Sequence, residues 1–264
     1  MFAQEFIVNR PIITLGYSTL FERCQDIELP EIDPRVEILI GIQGNTQSNI
    51  PEHLDRNDTL VTSLESIGVA KSRNHMIDHA KGDYLFFGDD DIDWVVNNIW
   101  EIVDYFESHS ATHLITGKTV SEDGSYKKRY PNRSKKLNLF NCAKTGTVEM
   151  AIRVKEFRSS KVYFDENFGA GSDNYLGDEY IFITDALRQG IKCEYLPIDF
   201  TIHQGMSSGV IYGSKRDSQA RSAVFSRVFK GKAFFVKLAF LLKNFTKFRK
   251  YSSIHTFLRT VRKE

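Results

Sequence analysis

The chain has 264 residues, 41% of them hydrophobic and 12% aromatic, enough to bury one sizeable α/β core. The net charge of +1 hides an asymmetry. Fourteen of the 35 Lys and Arg residues but only two of the 34 acids lie from Lys215 onward, so a body of net −11 carries a tail of net +12. Such a tail points to an anionic partner, while three scattered cysteines (Cys24, Cys142, Cys193) exclude a disulfide framework or a zinc site and read as reduced thiols of a cytoplasmic protein.

The opening "MFAQEFIVNRPIITLGYS" has no basic stretch leading into a long apolar run, so no signal peptide is expected. "IITLGYS" (12–18) and "VEILIGIQG" (36–44) read as buried strands, rich in Ile and Leu, and "TLVTSL" (59–64) as a weaker third. In "VAKSRNHMIDHAKG" (69–82), Val69, Met76, Ile77 and Ala80 recur at helical spacing and Gly82 is placed to end the helix. "YLFF" (84–87) is another buried strand. "VVNNIWEIVDYFES" (95–108) sets Val95, Ile99, Ile102, Val103 and Phe106 on one helical face. This alternation predicts an α/β fold, a mostly parallel sheet with helices on both faces.

The next segment is less regular. "HLITGKTVSEDGSYKKRY" (113–130) reads as strand, Asp-Gly turn and strand, with "LNLFNC" (137–142) and "TVEMAIRV" (147–154) as short strands. "GDEYIFITDALRQG" (177–190) is a helix ending at Gly190, and "KCEYLP" (192–197) a strand stopped by Pro197. One domain to about residue 213 then precedes a helical tail, 214–264. In the tail, Lys237 and Lys243 interrupt the apolar run Ala233–Phe245, which is too short and too charged to span a bilayer.

"DYLFFGDDDIDW" (83–94) packs Asp89, Asp90, Asp91 and Asp93 just beyond a strand end, where parallel sheets gather their ligands. Like charges so close repel unless a cation sits among them, and carboxylate oxygens suit Mg²⁺ or Mn²⁺ bridging to a diphosphate. The bland counterpart is a solvated turn in which Asp91 or Asp93 caps the helix near Val95.

"GVAKSRNHMIDHAKGDYLFFGDDD" (68–91) resembles the family-2 glycosyltransferases of the GT-A type, with their S-R-N helix, A-x-G-D-Y strand entry and D-x-D acids. "FDENFGAGSDNYLGDEYIFITDALRQGIKCEYLPIDFTIH" (164–203) is similar to a later stretch of the same family, F-D-E-x-F-G-x-G, an acidic pair at a helix start and a late His. The resemblance implies a GT-A fold, with a nucleotide-sugar half at about 1–118 and an acceptor half at 119–213. It implies an inverting transfer from a nucleotide-diphospho-sugar, UDP-linked by preference, to an acceptor hydroxyl on a glycan or lipid-linked chain of bacterial surface polysaccharide.

It also implies roles. Asp89, Asp90 and Asp91 form the D-x-D, with Asp91 and Asp89 on the metal and His203 completing the site; Asp93 falls outside the motif and reads as a helix cap. Arg73 faces the nucleotide, and Tyr17 cups the base. The family's Asp-Asp-Gly-Ser run is replaced by "GIQGNTQS", so Gln43 and Asn45 are left to pair with a base edge through their amides. Asp178 and Glu179 carry the general base, in the reverse of the family's usual order, and either can serve. Gly169 and Gly171 let backbone approach a ligand or merely allow a turn. The tail reads as a basic amphipathic helix on the inner membrane surface, or one packed back on protein; no nucleic-acid motif accompanies its charge, and association of further copies is left open. A sugar nucleotidyltransferase and an inactive GT-A scaffold at the membrane are the rival readings.

Overall fold

The computed structural model describes residues 11–44, 50–203, 214–245 and 251–258. Asn45 and parts of the basic tail lie outside these residues. Three parallel strands begin the sheet: β1 (Ile13–Leu20), β2 (Val36–Gln43) and β3 (Thr59–Leu64). After α1 (Val69–His79), β4 (Tyr84–Asp89) joins β1 on its other side, again parallel. The chain then makes the short β5 (Ile92–Trp94), α2 (Val96–Ser108), β6 (Thr112–Ser121), β7 (Lys135–Lys136), β8 (Met150–Arg153), α3 (Val154–Ser160), α4 (Asp178–Arg188) and β9 (Lys192–His203). The sheet order is β3-β2-β1-β4-β8-β6-β9-β5, with β7 beside β9. β8 runs against both its neighbours, and the short β5 and β7 pair antiparallel with β9, while β1–β4, β6 and β9 share one direction, the mostly parallel α/β sheet that the sequence predicts.

Strand periodicity sorts the core into two layers. Ile13, Leu15, Tyr17, Ile38, Ile40, Tyr84 and Phe86 face α2 and its Ile99, Ile102 and Phe106. Leu39, Leu85 and Phe87 face the opposite way, onto α1, α3 and α4. On that second face the middle strands carry glycine so that α1 can lie close. A Cβ at Gly16 would sit 2.8 Å from Met76 Sδ, and one at Gly41 2.7 Å from Ser72 Oγ.

Several expected elements are corrected. Pro197 does not stop its strand: β9 runs on to His203, because the ladder with β6 bulges between the Thr116–Tyr195 and Lys118–Asp199 pairs and requires no donor from proline there. Asp93 is no helix cap; it lies in β5 opposite Ile202, and α2 begins at Val96 without a side-chain cap. Gly82 does not cap α1, which closes at Ala80; its place is set by backbone, since a Cβ would meet Ile13 C at 2.6 Å. The return strand expected before Tyr130 and the one at 137–142 are irregular loop, and Thr147–Glu149 is a 3-10 turn ahead of β8.

The described part of the tail forms α5 (Lys215–Phe229), α6 (Ala233–Lys243) and α7 (Tyr251–Leu258). α5 is docked on the sheet domain. Val224 and Val228 enter the α4-side core, and Arg227 pairs with Asp165 at 2.8 Å and Asp185 at 2.6 Å. Phe225, Phe240 and Phe257 join the three helices. Lys237 is not part of a basic outer face: it is wholly buried and donates to Ser222 Oγ and Ser226 Oγ, both at 2.8 Å. Among the described residues no helix is long and apolar enough to cross a membrane. Cys24, Cys142 and Cys193 are buried free thiols.

Candidate active site

The acids stand at the carboxyl edge of β4 because β1 and β4 run in parallel register, with Ser18 opposite Asp89. The segment after β1 therefore shares an edge with the acidic run. It is a 3-10 turn, Phe21–Asp26, and it delivers Arg23: one guanidinium nitrogen lies 2.6 Å from Asp90 Oδ1 and 3.5 Å from Asp91 Oδ2.

The three aspartates differ in environment. Asp90 is buried, accepts from Thr19 Oγ1 at 2.6 Å and is locked to Arg23; burial pushes its carboxyl up, against the pull of those two partners. It is a brace between β1 and β4. Asp89 is partly open and accepts from Arg73 Nη2 at 3.1 Å. Asp91 is also partly open, with His203 Nε2 3.6 Å from its Oδ1. The pairing of β5 with β9 places Ile92 opposite His203, which is how a residue 112 positions downstream reaches Asp91.

Asp91 and His203 are thus brought together, while Asp89 turns to Arg73. Among the described residues no set of three or more His, Cys, Asp or Glu converges as a metal cage. A carboxylate and an imidazole side by side nevertheless fit Mn²⁺ or Mg²⁺, which commonly take one or two protein ligands and complete their shell with substrate oxygens and water.

Arg73 is the centre of the site and is not a surface arginine. It is buried, donates to Asp178 Oδ2 at 2.5 Å and to Asp89, and lies 3.9 Å from Glu179 Oε1. Burial opposes its charge, but Asp89, Asp178 and Glu179 outweigh that and hold its pKa above the ordinary value. Its Nε is buried without a hydrogen-bond partner among the described residues. Two acids from β4 and α4 and one buried arginine from α1 so form a single connection between the strand edge and the second acidic pair.

That pair divides by exposure. Asp178, the first residue of α4, is sealed in; burial pushes its carboxyl up to about 7, with Glu179 adding to the rise and Arg73 working against it. Glu179 keeps an open face, and its Oε1 accepts from Thr147 Oγ1 at 2.7 Å. Gly177 and Gly169, both at positive φ, make room for this helix start. A Cβ at Gly169 would press on Asp178 Cγ and Val69 Cγ1 at 2.8 Å each. Gly171 packs similarly against Gly68, and Ala170 O accepts from Val69 N at 3.0 Å, so the F-G-A-G loop clamps the start of α1 onto that of α4.

Two expected base contacts are corrected. Tyr17 points into the α2-side core, fully buried, edge-on to Trp94 and donating to Glu28 O at 3.1 Å; it has no face for a ligand. Gln43 is buried and spent inside the protein, donating to Ser18 Oγ at 3.0 Å and accepting from Gly68 N at 2.8 Å. Arg23, Thr19 and Thr147 carry no mark in the sequence. Only strand register could flag the first two, and nothing local marks Thr147.

The sequence model for Glycosyl transferase family 2 matches residues 33–169, more than half of the chain, including α1, the acids at the end of β4 and β8. The chain belongs to glycosyltransferase family 2. It is a glycosyltransferase, and the solved structures similar to it agree in fold. S. aureus TarS 1-349 in complex with UDP aligns with a TM-score of 0.61 at 13% identity, over 89% of this chain and 72% of that one. The same TarS fragment with UDP-GlcNAc aligns at 0.64 and 14% identity, over 93% and 78%. A mycobacterial protein aligns at 0.53 and 16% identity, over 84% and 76%. A comparison with curated protein sequences finds no significant match.

Proposed function

We propose that this glycosyltransferase moves a sugar from a nucleotide-diphospho-sugar, UDP-linked by preference, to an acceptor hydroxyl with inversion, in the building of a bacterial surface glycan. The observation that carries the reading is the Arg73 connection. One buried arginine holds an acid of the nucleotide edge, Asp89, and both acids of the candidate base pair, Asp178 and Glu179, in a fixed relation. The UDP and UDP-GlcNAc bound by TarS support a donor of this chemical class.

Asp91 and His203 would hold a divalent ion, which when bound offsets charge on the departing diphosphate. Arg23, drawn to Asp90 and Asp91, lies where a guanidinium can also meet phosphate oxygens. Asp89 orients Arg73. Glu179 is the better base of the pair: it is open, anchored by Thr147, and free to take the acceptor's proton as the hydroxyl attacks. Asp178 is sealed and bound to Arg73, and so acts by positioning.

The outer side of α6 exposes Phe234, Phe235, Leu238 and Leu242, with Lys232 and Lys243 beside them. This supports a peripheral location in which these side chains enter a lipid interface and the lysines meet anionic headgroups.

The test is UDP release from a panel of UDP-sugars, with and without acceptor extract. Turnover by the wild type and its loss in Glu179→Gln, with UDP binding retained, is expected. Turnover unchanged in Glu179→Gln would reject the assignment of the base.

A further inference from the structure

Beyond the acid edge lies a cleft of about 820 Å³, lined by Lys118, Tyr126, Lys127, Arg129, Tyr130 and Pro197 among others. We infer that this cleft receives the acceptor, and that the acceptor is an anionic glycan, a sugar chain carrying phosphate or carboxylate groups. The inference rests on the glycosyltransferase reading of the neighbouring site and deepens it.

Charge is the first argument. From Lys118 to Lys136 the chain carries seven bases and two acids, Glu122 and Asp123. Two further acids face the lining: Asp199 lies 3.3 Å from Lys118 Nζ, and Glu149 2.7 Å from Lys128 Nζ. Of the seven bases, Lys118, Lys127, Lys128 and Arg129 line the cleft, so they outnumber Asp199 and Glu149 by two. Lys127 and Arg129 stand exposed on the rim. The excess of positive charge along this wall raises the local concentration of anions.

The second argument is the aromatic lining. Tyr126 and Tyr130 meet edge to face with ring centres 5.4 Å apart, and Lys118 and Lys128 lie 4.7 and 5.2 Å from the respective rings. Rings beside ammonium groups suit a repeating chain of sugar faces and anions.

The third is connection to the base. Glu149 accepts from Lys128, from Tyr130 Oη at 2.5 Å and from Gly146 N at 3.0 Å, which fixes the cleft wall to the 146–149 turn. The same turn carries Thr147, whose hydroxyl holds Glu179. Tyr130 also receives Thr119 N at 3.1 Å; Thr119 bonds Thr201, two residues before His203. A chain lying in the cleft therefore borders the groups that would take its proton.

The experiment measures fluorescence anisotropy of labelled polyphosphate, polygalacturonate, neutral dextran and single-stranded DNA with the full chain. Wild type and the Lys127→Ala/Arg129→Ala variant are compared, with UDP calorimetry run in parallel. Polyphosphate or polygalacturonate should bind at least about tenfold tighter than dextran, weaken as salt rises, and lose about tenfold in the double variant. Which of the two binds better separates phosphate from carboxylate chains. UDP binding should be the same in both proteins. Dextran binding as well as the anions, DNA binding better than either glycan, or an unchanged double variant would each overturn the inference. Should UDP fail to bind while anion capture and its loss persist, the donor reading falls and the cleft stands as a polyanion site.

Discussion

The acidic site and the basic cleft, joined through the 146–149 turn at Glu179, use charge in opposite ways. At the acidic site the charges are held one by one: Asp90 with Arg23 and Thr19, Asp89 and Asp178 with Arg73, Glu179 with Thr147. In the cleft Lys127 and Arg129 stand exposed beside the paired Lys118 and Lys128, and the bases act through their sum. Buried pairs fix geometry, and losing one member is costly because the other is left uncompensated. Exposed charges each contribute little and are screened by salt. Chemistry belongs to the first region and recruitment of a chain to the second.

The largest expected effect falls on that division. Glu179→Gln should lower transfer by about 10²–10⁴-fold, a general base's share, with UDP affinity retained; a comparable loss in the cleft variant would erase the distinction. Next comes Arg73→Met, which strands Asp89 and Asp178 and should cost about 3–5 kcal/mol in denaturant unfolding. Arg73→Met with Asp178→Asn should recover part of that loss, since the sealed charge goes with its partner.

Asp178 offers a pH signature. Its folded pKa, about 7, is raised above the ordinary 3.8, chiefly by burial. Its contribution to stability is therefore complete below about pH 3.8 and is lost as pH climbs through about 7. Asp178→Asn should flatten that part of the stability profile between pH 4 and 8. An unchanged slope would show that the carboxyl titrates normally. The smallest effect on stability belongs to α6: Phe235→Glu with Leu242→Glu, both exposed, should shift it by less than about 1 kcal/mol yet abolish binding to anionic vesicles. Retained vesicle binding, with a changed oligomeric state, would assign the face to a second copy of the chain.

Much of the donor half is legible in the sequence because its strands are uninterrupted Ile/Leu/Phe runs and its helices repeat at 3.6 residues. Asp91, His203 and Arg73 are legible through motif order, and the structure brings the first two within 3.6 Å. Tyr17 and Gln43 mislead because a strand-end side chain alternates between faces, and register decides which face is core. Pro197 misleads because a bulge absorbs it. Arg23 and Thr147 are invisible because their partners are 67 and 32 residues away and are met only through sheet order and the 146–149 turn. The stretch 122–146, irregular apart from the two-residue β7, has no periodicity to read; its charge is plain in the sequence, but its concavity needs the fold.

The most direct test of the central claim is calorimetry of UDP, GDP, CDP and dTDP with and without Mn²⁺, on wild type and Asp91→Ala. The account predicts that UDP binds in preference to the others, that Mn²⁺ strengthens it, and that Asp91→Ala removes the metal's effect. A folded wild type that binds no nucleotide diphosphate, or an Asp91→Ala protein whose Mn²⁺ response is intact, would contradict it.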